Sequence, residues 1–211
     1  MEEKIILASG SARRKAMLEM YGIPFEVIPS GMTEFFAEGS GQFRALDMAK
    51  KKAFMVSFRN PGRWVLAADT MVKVGKIYLG KPRDEEDAVR MLKMLSGRHH
   101  YVFTGVCLRS PEGREFYECD ITRVFFLRLK EETIRRYVAT GEPMGKAGAY
   151  ALQGMASLFI SQINGSHTNV MGLPLSTLTQ LFWQAGFKIP FQKPQWLETW
   201  DGEDDRYGEK K

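Results

Sequence analysis

A short polar and basic segment, residues 9–15, is the first part of the chain whose side chains could bind an anion. It reads Ser-Gly-Ser-Ala-Arg-Arg-Lys and lies between an apolar run typical of a strand and a pattern typical of a helix. A helix start offers unpaired N–H groups and positive potential, so cations placed there cost about 0.3–1 kcal/mol each. Arg13, Arg14 and Lys15 are therefore explained if a phosphate completes the site. The alternative is that these long side chains extend into solvent.

A second candidate is the pair Asp69 and Thr70, which follows the apolar residues 64–68. These apolar residues predict a strand that ends at Asp69. Ligand sites of open α/β sheets gather at the carboxyl ends of strands. A carboxylate there could hold Mg²⁺ or accept a proton from water. The alternative is an Asp that only caps a turn.

Two glycine-containing segments come next. Residues 75–81 match the spacing of a phosphate-binding loop, but Pro82 stands where Ser or Thr should hold Mg²⁺, and the pattern predicts a hairpin. We therefore reject such a loop, although Lys81 could still face an anion. Residues 145–154 contain closely spaced Gly and Ala that would let a ligand approach the backbone, and Gln153 offers a donor and an acceptor suited to a base edge. The alternative is a tightly packed loop.

The elements that must position these residues alternate along the chain. Strands are predicted at residues 5–8, 25–28, 64–68, 71–74, 77–79, 101–109, 115–129 and 158–163. Helices are predicted before Gly22 and at residues 43–58, 84–95, 131–140 and 175–185. Because the middle of the chain is antiparallel and the rest alternates, the pattern predicts an α/β fold with a mixed sheet. We expect one domain over residues 1–187 and a flexible polar tail over 188–211.

Composition excludes several classes of protein. A hydrophobic content of 44% is too high for a disordered chain. The net charge of +5 permits an anionic ligand but is too small for a binder of nucleic acid polymers. The sequence also lacks the basic stripe with interleaved aromatic residues that such a binder needs. We find no signal peptide and no apolar window near the ~18 residues of a membrane span. Two cysteines are too few for a disulfide scaffold. We therefore expect a cytoplasmic protein without membrane contact.

Six fragments of the sequence, taken in order, resemble the Maf family of nucleoside triphosphate pyrophosphatases. They are residues 7–14, 68–70, 80–84, 95–98, 146–150 and 170–175. The resemblance extends from about residue 5 to residue 186, and the segment Ala-Tyr-Ala-Leu-Gln-Gly is similar to the branch that prefers dTTP and UTP. One departure is Ala12, where the family commonly has Pro, a residue well suited to the first helical position.

The resemblance implies a fold related to the inosine triphosphate pyrophosphatases, with a curved mixed sheet flanked by helices in two lobes, often as a homodimer. It implies hydrolysis of a nucleoside triphosphate to the monophosphate and pyrophosphate, with Mg²⁺ or Mn²⁺ as cofactor, in a housekeeping role for the nucleotide pool. An alternative is a nucleotide-binding regulator of cell division and septum formation with little turnover.

The resemblance also assigns expected roles to individual residues. Asp69 is the expected proton acceptor. Residues at positions linked to base choice are Arg13, Thr70 and Gln153. Residues at positions that line the triphosphate site are Ser11, Arg14, Lys52 and Lys81. Glu34 falls on the family's acidic position, and both Glu34 and Asp69 could be metal ligands. The sequence leaves open whether Asp69 acts as base or as ligand.

Overall fold

The computed structural model describes residues 4–32 and 38–189. Glu34 and most of the predicted tail therefore lie outside the described residues. Seven strands form one sheet within this part of the chain: β1 (Ile5–Leu7), β2 (Phe25–Val27), β3 (Val65–Val74), β4 (Ile77–Leu79), β5 (His99–Arg109), β6 (Glu115–Phe126) and β7 (Ile160–Asn164). The helices described are α1 (Ala12–Met20), α2 (Gly41–Arg59), α3 (Glu85–Leu95), α4 (Glu131–Val138), α5 (His167–Met171) and α6 (Leu175–Ala185).

The sheet is mixed, as the sequence predicts. Its strand order is β2-β1-β3-β5-β6-β7, and β4 pairs with β3. Strand β1 runs parallel to both β2 and β3, whereas the remaining pairs are antiparallel. Helices lie on both faces, which confirms the predicted α/β class.

Strand β3 changes its neighbour part-way along its length. Its first residues pair with β1 up to Leu66, and its last residues pair with β4 from Val72 onward, while β5 follows it on the other side. In these ladders residues 67–71 have neither β1 nor β4 beside them, and we call this opening the fork. Asp69 and Thr70 lie inside a ten-residue strand at the fork. The prediction that the strand ends at Asp69 is therefore wrong.

Alternation along β3 divides the hydrophobic interior. Leu66 and Ala68 pack with α1 and α6 in a first core, and Val72 and Val74 pack with α3 and α4 in a second core. Because side chains in a strand alternate, these four residues and Thr70 share one face of the sheet. Helix α2 covers the opposite face, where it packs against residues such as Ala67. Two cores on one face give a physical basis for the expected two lobes.

Between the two cores, which share Ile160 and Val170 as neighbours, lies a line of polar side chains, most of them buried. We call it the threonine seam, and it consists of Thr70, Thr104, Thr122 and Asn169. The Thr70 and Thr104 hydroxyls are 3.0 Å apart, and Thr104 donates to the Asn169 carbonyl oxygen at 3.1 Å. The Asn169 amide donates to the Thr122 hydroxyl at 2.8 Å. The seam thus fixes the short helix α5, which the sequence does not predict, to the sheet below the fork.

The ends of the elements follow local signals in the sequence. The carboxylate of Asp84 accepts a bond from the backbone N–H of Asp87 at 2.7 Å and caps α3 as predicted. Helix α6 ends at Gly186, whose φ of 69° favours glycine. The expected domain boundary after residue 187 is not sharp, because Ile189 still packs against the first core. Among the described residues, no helix combines the length and apolar character needed to cross a membrane.

Candidate active site

The fork opens into a cleft of about 650 Å³. This volume lies within the range of about 300–1,000 Å³ usual for small-molecule sites. The residues that line the cleft come from both faces of the sheet, because at the fork neither β1 nor β4 separates the two faces. They are residues 8–14, 29–32, 52, 69–72, 78–81, 102, 144–147, 150 and 170–172.

A buried ion pair lies in the cleft wall on the α2 side. Lys52 Nζ is 2.5 Å from Asp69 Oδ1, and the two side chains are only 11% and 6% exposed. Of the three consecutive lysines 50–52, Lys52 is thus the one that turns inward, whereas Lys51 pairs with Asp47 at the surface. Among the described residues that line the cleft, Asp69 is the one carboxylate. The structure therefore pairs Asp69 with the ammonium of Lys52 in the wall of the cleft.

Arg14 lies on the opposite face of the sheet and connects three segments around the fork. Its Nε donates to the Gly172 carbonyl oxygen at 2.7 Å, its Nη1 to the Ser9 hydroxyl at 3.0 Å, and its Nη2 to the Thr70 hydroxyl at 3.0 Å. The residue is only 9% exposed. Its role at the triphosphate stays a prediction, but the structure adds a second role, in which the guanidinium clamps β3 to the loops on either side.

The start of α1 faces the cleft and has the features expected of an anion site. Ser11 is the N-cap residue, its side chain makes no capping bond, and the first turn contains no acidic residue. Helix α3, in contrast, carries Glu85, Glu86 and Asp87 in its first turn. Lys15, however, points away and pairs with Glu19 at the surface, so the solvent alternative holds for this one of the three cations.

Arg13 is half-buried and faces the loop that follows α4. Burial lowers the pKa of its guanidinium, and Tyr150 and Tyr137 oppose that shift. Burial also lowers the pKa of Lys146, and the charge of Arg13 adds to the effect. Both cations line the cleft. Lys146 is not among the predicted site residues, although it lies in the segment of closely spaced Gly and Ala, residues 145–154, that could let a ligand approach the backbone.

Tyr150 is held from behind by His100. The Tyr150 hydroxyl and His100 Nε2 are 2.8 Å apart, and His100 is fully buried. Burial lowers the pKa of His100 to about 3, so the imidazole is neutral at physiological pH. His100 is thus a hydrogen-bonded structural residue and fixes the tyrosine in the cleft wall.

The structure brings together most of the predicted site residues. Those that line the cleft are Ser11, Arg13, Arg14, Lys52, Asp69, Thr70 and Lys81. Gln153 does not join them: it is exposed and absent from the lining, because its loop is pinned elsewhere. The carboxylate of Glu142 accepts the N–H of Met155 at 3.0 Å and that of Ala156 at 3.3 Å. Glu34 lies outside the described residues.

Comparison with known proteins identifies the family. The family model described as Maf-like protein matches residues 4–185. The chain belongs to the Maf family. This Maf chain is 46% identical over 175 residues to the dTTP/UTP pyrophosphatase of Geobacillus sp. (strain WCH70), covering 82% of this chain and 94% of that protein. It is 44% identical over 198 residues to the dTTP/UTP pyrophosphatase of Anaeromyxobacter dehalogenans (strain 2CP-C), covering 92% and 100%.

Two solved structures resemble the Maf chain at low similarity. A HAM1 protein from Coxiella burnetii is 16% identical and matches with a TM-score of 0.49, covering 89% of this chain and 100% of that one. The HAM1 protein from Staphylococcus aureus is 12% identical, with a TM-score of 0.46, and covers 87% and 100%. The strand order β2-β1-β3-β5-β6-β7, with β4 paired to β3, describes the fold of the Maf chain.

Proposed function

We propose that the chain hydrolyses dTTP and UTP between the α- and β-phosphates, releasing the nucleoside monophosphate and pyrophosphate, as a housekeeping enzyme of the nucleotide pool. The observation that carries the proposal is the Lys52–Asp69 pair in a cleft that also contains the start of α1. The names of relatives at 46% and 44% identity support the choice of substrate.

The cleft residues divide the work between binding and proton transfer. Ser11, Lys52 and Lys81 line the cleft and can donate to phosphate oxygens. Bonds to charged groups contribute about 1.5–3 kcal/mol each, so a few of them hold a triphosphate firmly. Asp69 receives the proton of the attacking water. An ordinary Asp, with a pKa near 3.9, is a weak base, so the water needs further activation.

A divalent cation, Mg²⁺ or Mn²⁺, would supply that activation when bound, by acidifying water and neutralising phosphate charge. The donor set fits such an ion if the substrate completes it. No group of three or more His, Cys, Asp or Glu suited to a metal occurs among the described residues. Mg²⁺, however, is commonly held by one or two carboxylates together with substrate phosphates. Asp69 is one such carboxylate, and Glu34 is the expected second.

The direct test is a panel of nucleoside triphosphates incubated with the purified protein and Mg²⁺ or Mn²⁺, with pyrophosphate release measured. We expect dTTP and UTP to be the best substrates. If no pyrimidine nucleotide released pyrophosphate although one bound saturably, the proposal would fail in favour of a regulator of cell division that binds without turnover.

A variant pair tests the role of Asp69. Asp69→Asn should lower kcat by about 10²–10⁴-fold, because the proton acceptor is lost, and should leave nucleotide binding largely intact. Asp47→Asn is the matched control, since Asp47 also pairs with a lysine of α2 but lies outside the cleft. Near-normal turnover by Asp69→Asn would remove this residue from the proposed mechanism.

We propose further that the protein acts in the cytoplasm as a homodimer. Family membership supports the dimer, and two free, buried thiols suit a reducing compartment. Light scattering coupled to size-exclusion chromatography tests the dimer: a monomer at micromolar concentration contradicts it. Fractionation of the native host tests the location.

A further inference from the structure

One end of the cleft differs in character from the end that holds Lys52 and Asp69. Its lining side chains belong to the second core, and we call it the apolar end: Val72, Leu79, Met144, Ala147 and Tyr150. The hydroxyl of Tyr150 is bonded to His100, so the tyrosine contributes mainly its ring to this wall. Such a surface suits a flat, weakly hydrated group better than a phosphate, which needs many polar donors.

Lys146 brings a positive charge to the apolar end. Its Nζ donates to the Glu142 carbonyl oxygen at 2.5 Å and to the Met144 carbonyl oxygen at 3.4 Å. An ammonium has three donors, so one is left for a ligand. The two carbonyls fix the ammonium in place, which lowers the entropy lost when it binds.

The charge of Lys146 is only weakly balanced by the protein. The carboxylate of Glu142, on the same loop, is used by the Tyr137 hydroxyl at 2.8 Å and by backbone N–H groups of residues 155 and 156. Burial and the charge of Arg13 lower the pKa of Lys146, and the charge of Glu142 opposes this shift. Two partly buried cations beside an apolar wall are stabilised by a ligand that presents oxygen atoms to them.

We propose that Lys146 is a base-recognition residue, which donates a hydrogen bond to a carbonyl oxygen of a 2,4-dioxopyrimidine lying in the apolar end beside Arg13. A planar ring with two carbonyl oxygens combines the two properties of this end, an apolar wall and cationic donors. The triphosphate then extends toward the start of α1, Lys52 and Lys81. This inference rests on the proposed function, and it adds a residue that the sequence does not assign to the site.

The test separates base from phosphate by calorimetric titration with UMP and with ribose 5-phosphate. Lys146→Met removes the charge at similar length. We expect it to weaken UMP binding by about tenfold or more and to leave ribose 5-phosphate binding within about twofold. Lys146→Arg, which keeps a donor, should recover part of the UMP affinity. Both ligands are titrated into the same preparation of the variant. Partial misfolding would lower the fraction of competent protein equally in both titrations, so the ratio of the two affinities still reports the role of Lys146.

Lys76→Met is the matched control, since Lys76 is exposed at the tip of the β3–β4 hairpin and lies outside the cleft lining. We expect it to bind both ligands like the wild type. Equal weakening of UMP and ribose 5-phosphate by Lys146→Met would assign Lys146 to the phosphates and overturn the proposal, as would no change in either.

A kinetic measurement tells this inference apart from the proposed function. In the Lys146→Met variant the KM for UTP should rise by about tenfold or more, with kcat changed by less than about threefold. A fall confined to kcat would contradict base recognition. If the wild type released no pyrophosphate from UTP, the proposed function would fail, and the titrations, which need no turnover, would still decide the role of Lys146.

Discussion

Replacement of Arg14 by Met should destabilise the protein even when no nucleotide is present. Among the described residues, the guanidinium donates hydrogen bonds to Ser9, Thr70 and Gly172, which lie in three separate segments and all line the cleft. Met fills a similar length of apolar space but donates nothing. The Gly172 carbonyl and both hydroxyls therefore lose a partner, and the fork loses a link between β3 and the loops on either side.

The size of the effect follows from these three bonds. Hydrogen bonds from a charged donor contribute about 1.5–3 kcal/mol each, and relief of the buried charge offsets part of that. A net loss of about 3–4 kcal/mol in the free energy of unfolding is therefore expected. For a chain of this size each kcal/mol shifts Tm by about 2–4 °C, so Tm should fall by about 6–15 °C.

The assay is thermal unfolding of the nucleotide-free protein, with Arg13→Met as the matched control. Arg13 is the preceding residue, carries the same charge and also lines the cleft, yet it is only half-buried. It should change Tm by less than about 3 °C while weakening nucleotide binding. If Arg14→Met melted within about 2 °C of the wild type and lost only activity, the clamp would be refuted and Arg14 would be a simple ligand of the substrate.

Three further predictions concern residues outside the cleft lining. In the unfolded chain His100 binds a proton below about pH 6.5, whereas in the folded protein its pKa is about 3. The free energy of unfolding should therefore fall by about 2 kcal/mol when the pH is lowered to 5. Urea unfolding measures this change, which should be smaller in His100→Gln. Burial raises the pKa of Cys107 and Cys119 to about 12, so neither thiol should react with Ellman's reagent at pH 8 until the protein is denatured. Gly105→Ala should lower both Tm and activity. A Cβ at residue 105 would lie 2.5 Å from the backbone of Ala45 in α2, and α2 is the helix that carries Lys52. Unchanged activity would contradict this prediction.

Features that depend on neighbours in the sequence are predictable from it. The Asp84 cap, the two-residue turn of the β3–β4 hairpin and the end of α6 at Gly186 agree with the structure, because each is set by a side chain or a glycine within a few residues. The six ordered fragments identify the family, and seven of the residues that the resemblance assigns to the site line one cleft in the structure.

Features that depend on distant partners are not predictable in this way. Residues 64–68 and 71–74 are separate strands in the sequence pattern, since Asp69 and Thr70 interrupt the apolar run. In the structure β5 pairs with β3 through both residues, and their partners, Gly105 and Thr104, are about 35 residues away along the chain. The burial of Lys52 has the same origin, because its ion pair is with Asp69, 17 residues away along the chain.

The threonine seam explains why the site forms where it does. Thr70 occupies a position of β3 between Ala68 of the first core and Val72 of the second core. Thr104 on β5 and Thr122 on β6 continue the polar line, and Asn169 satisfies both. Since a buried polar group is costly unless it is bonded, the contacts with α5 and Arg14 stabilise the seam. The seam therefore adjoins the fork, and Thr70 belongs both to the seam and to the cleft wall.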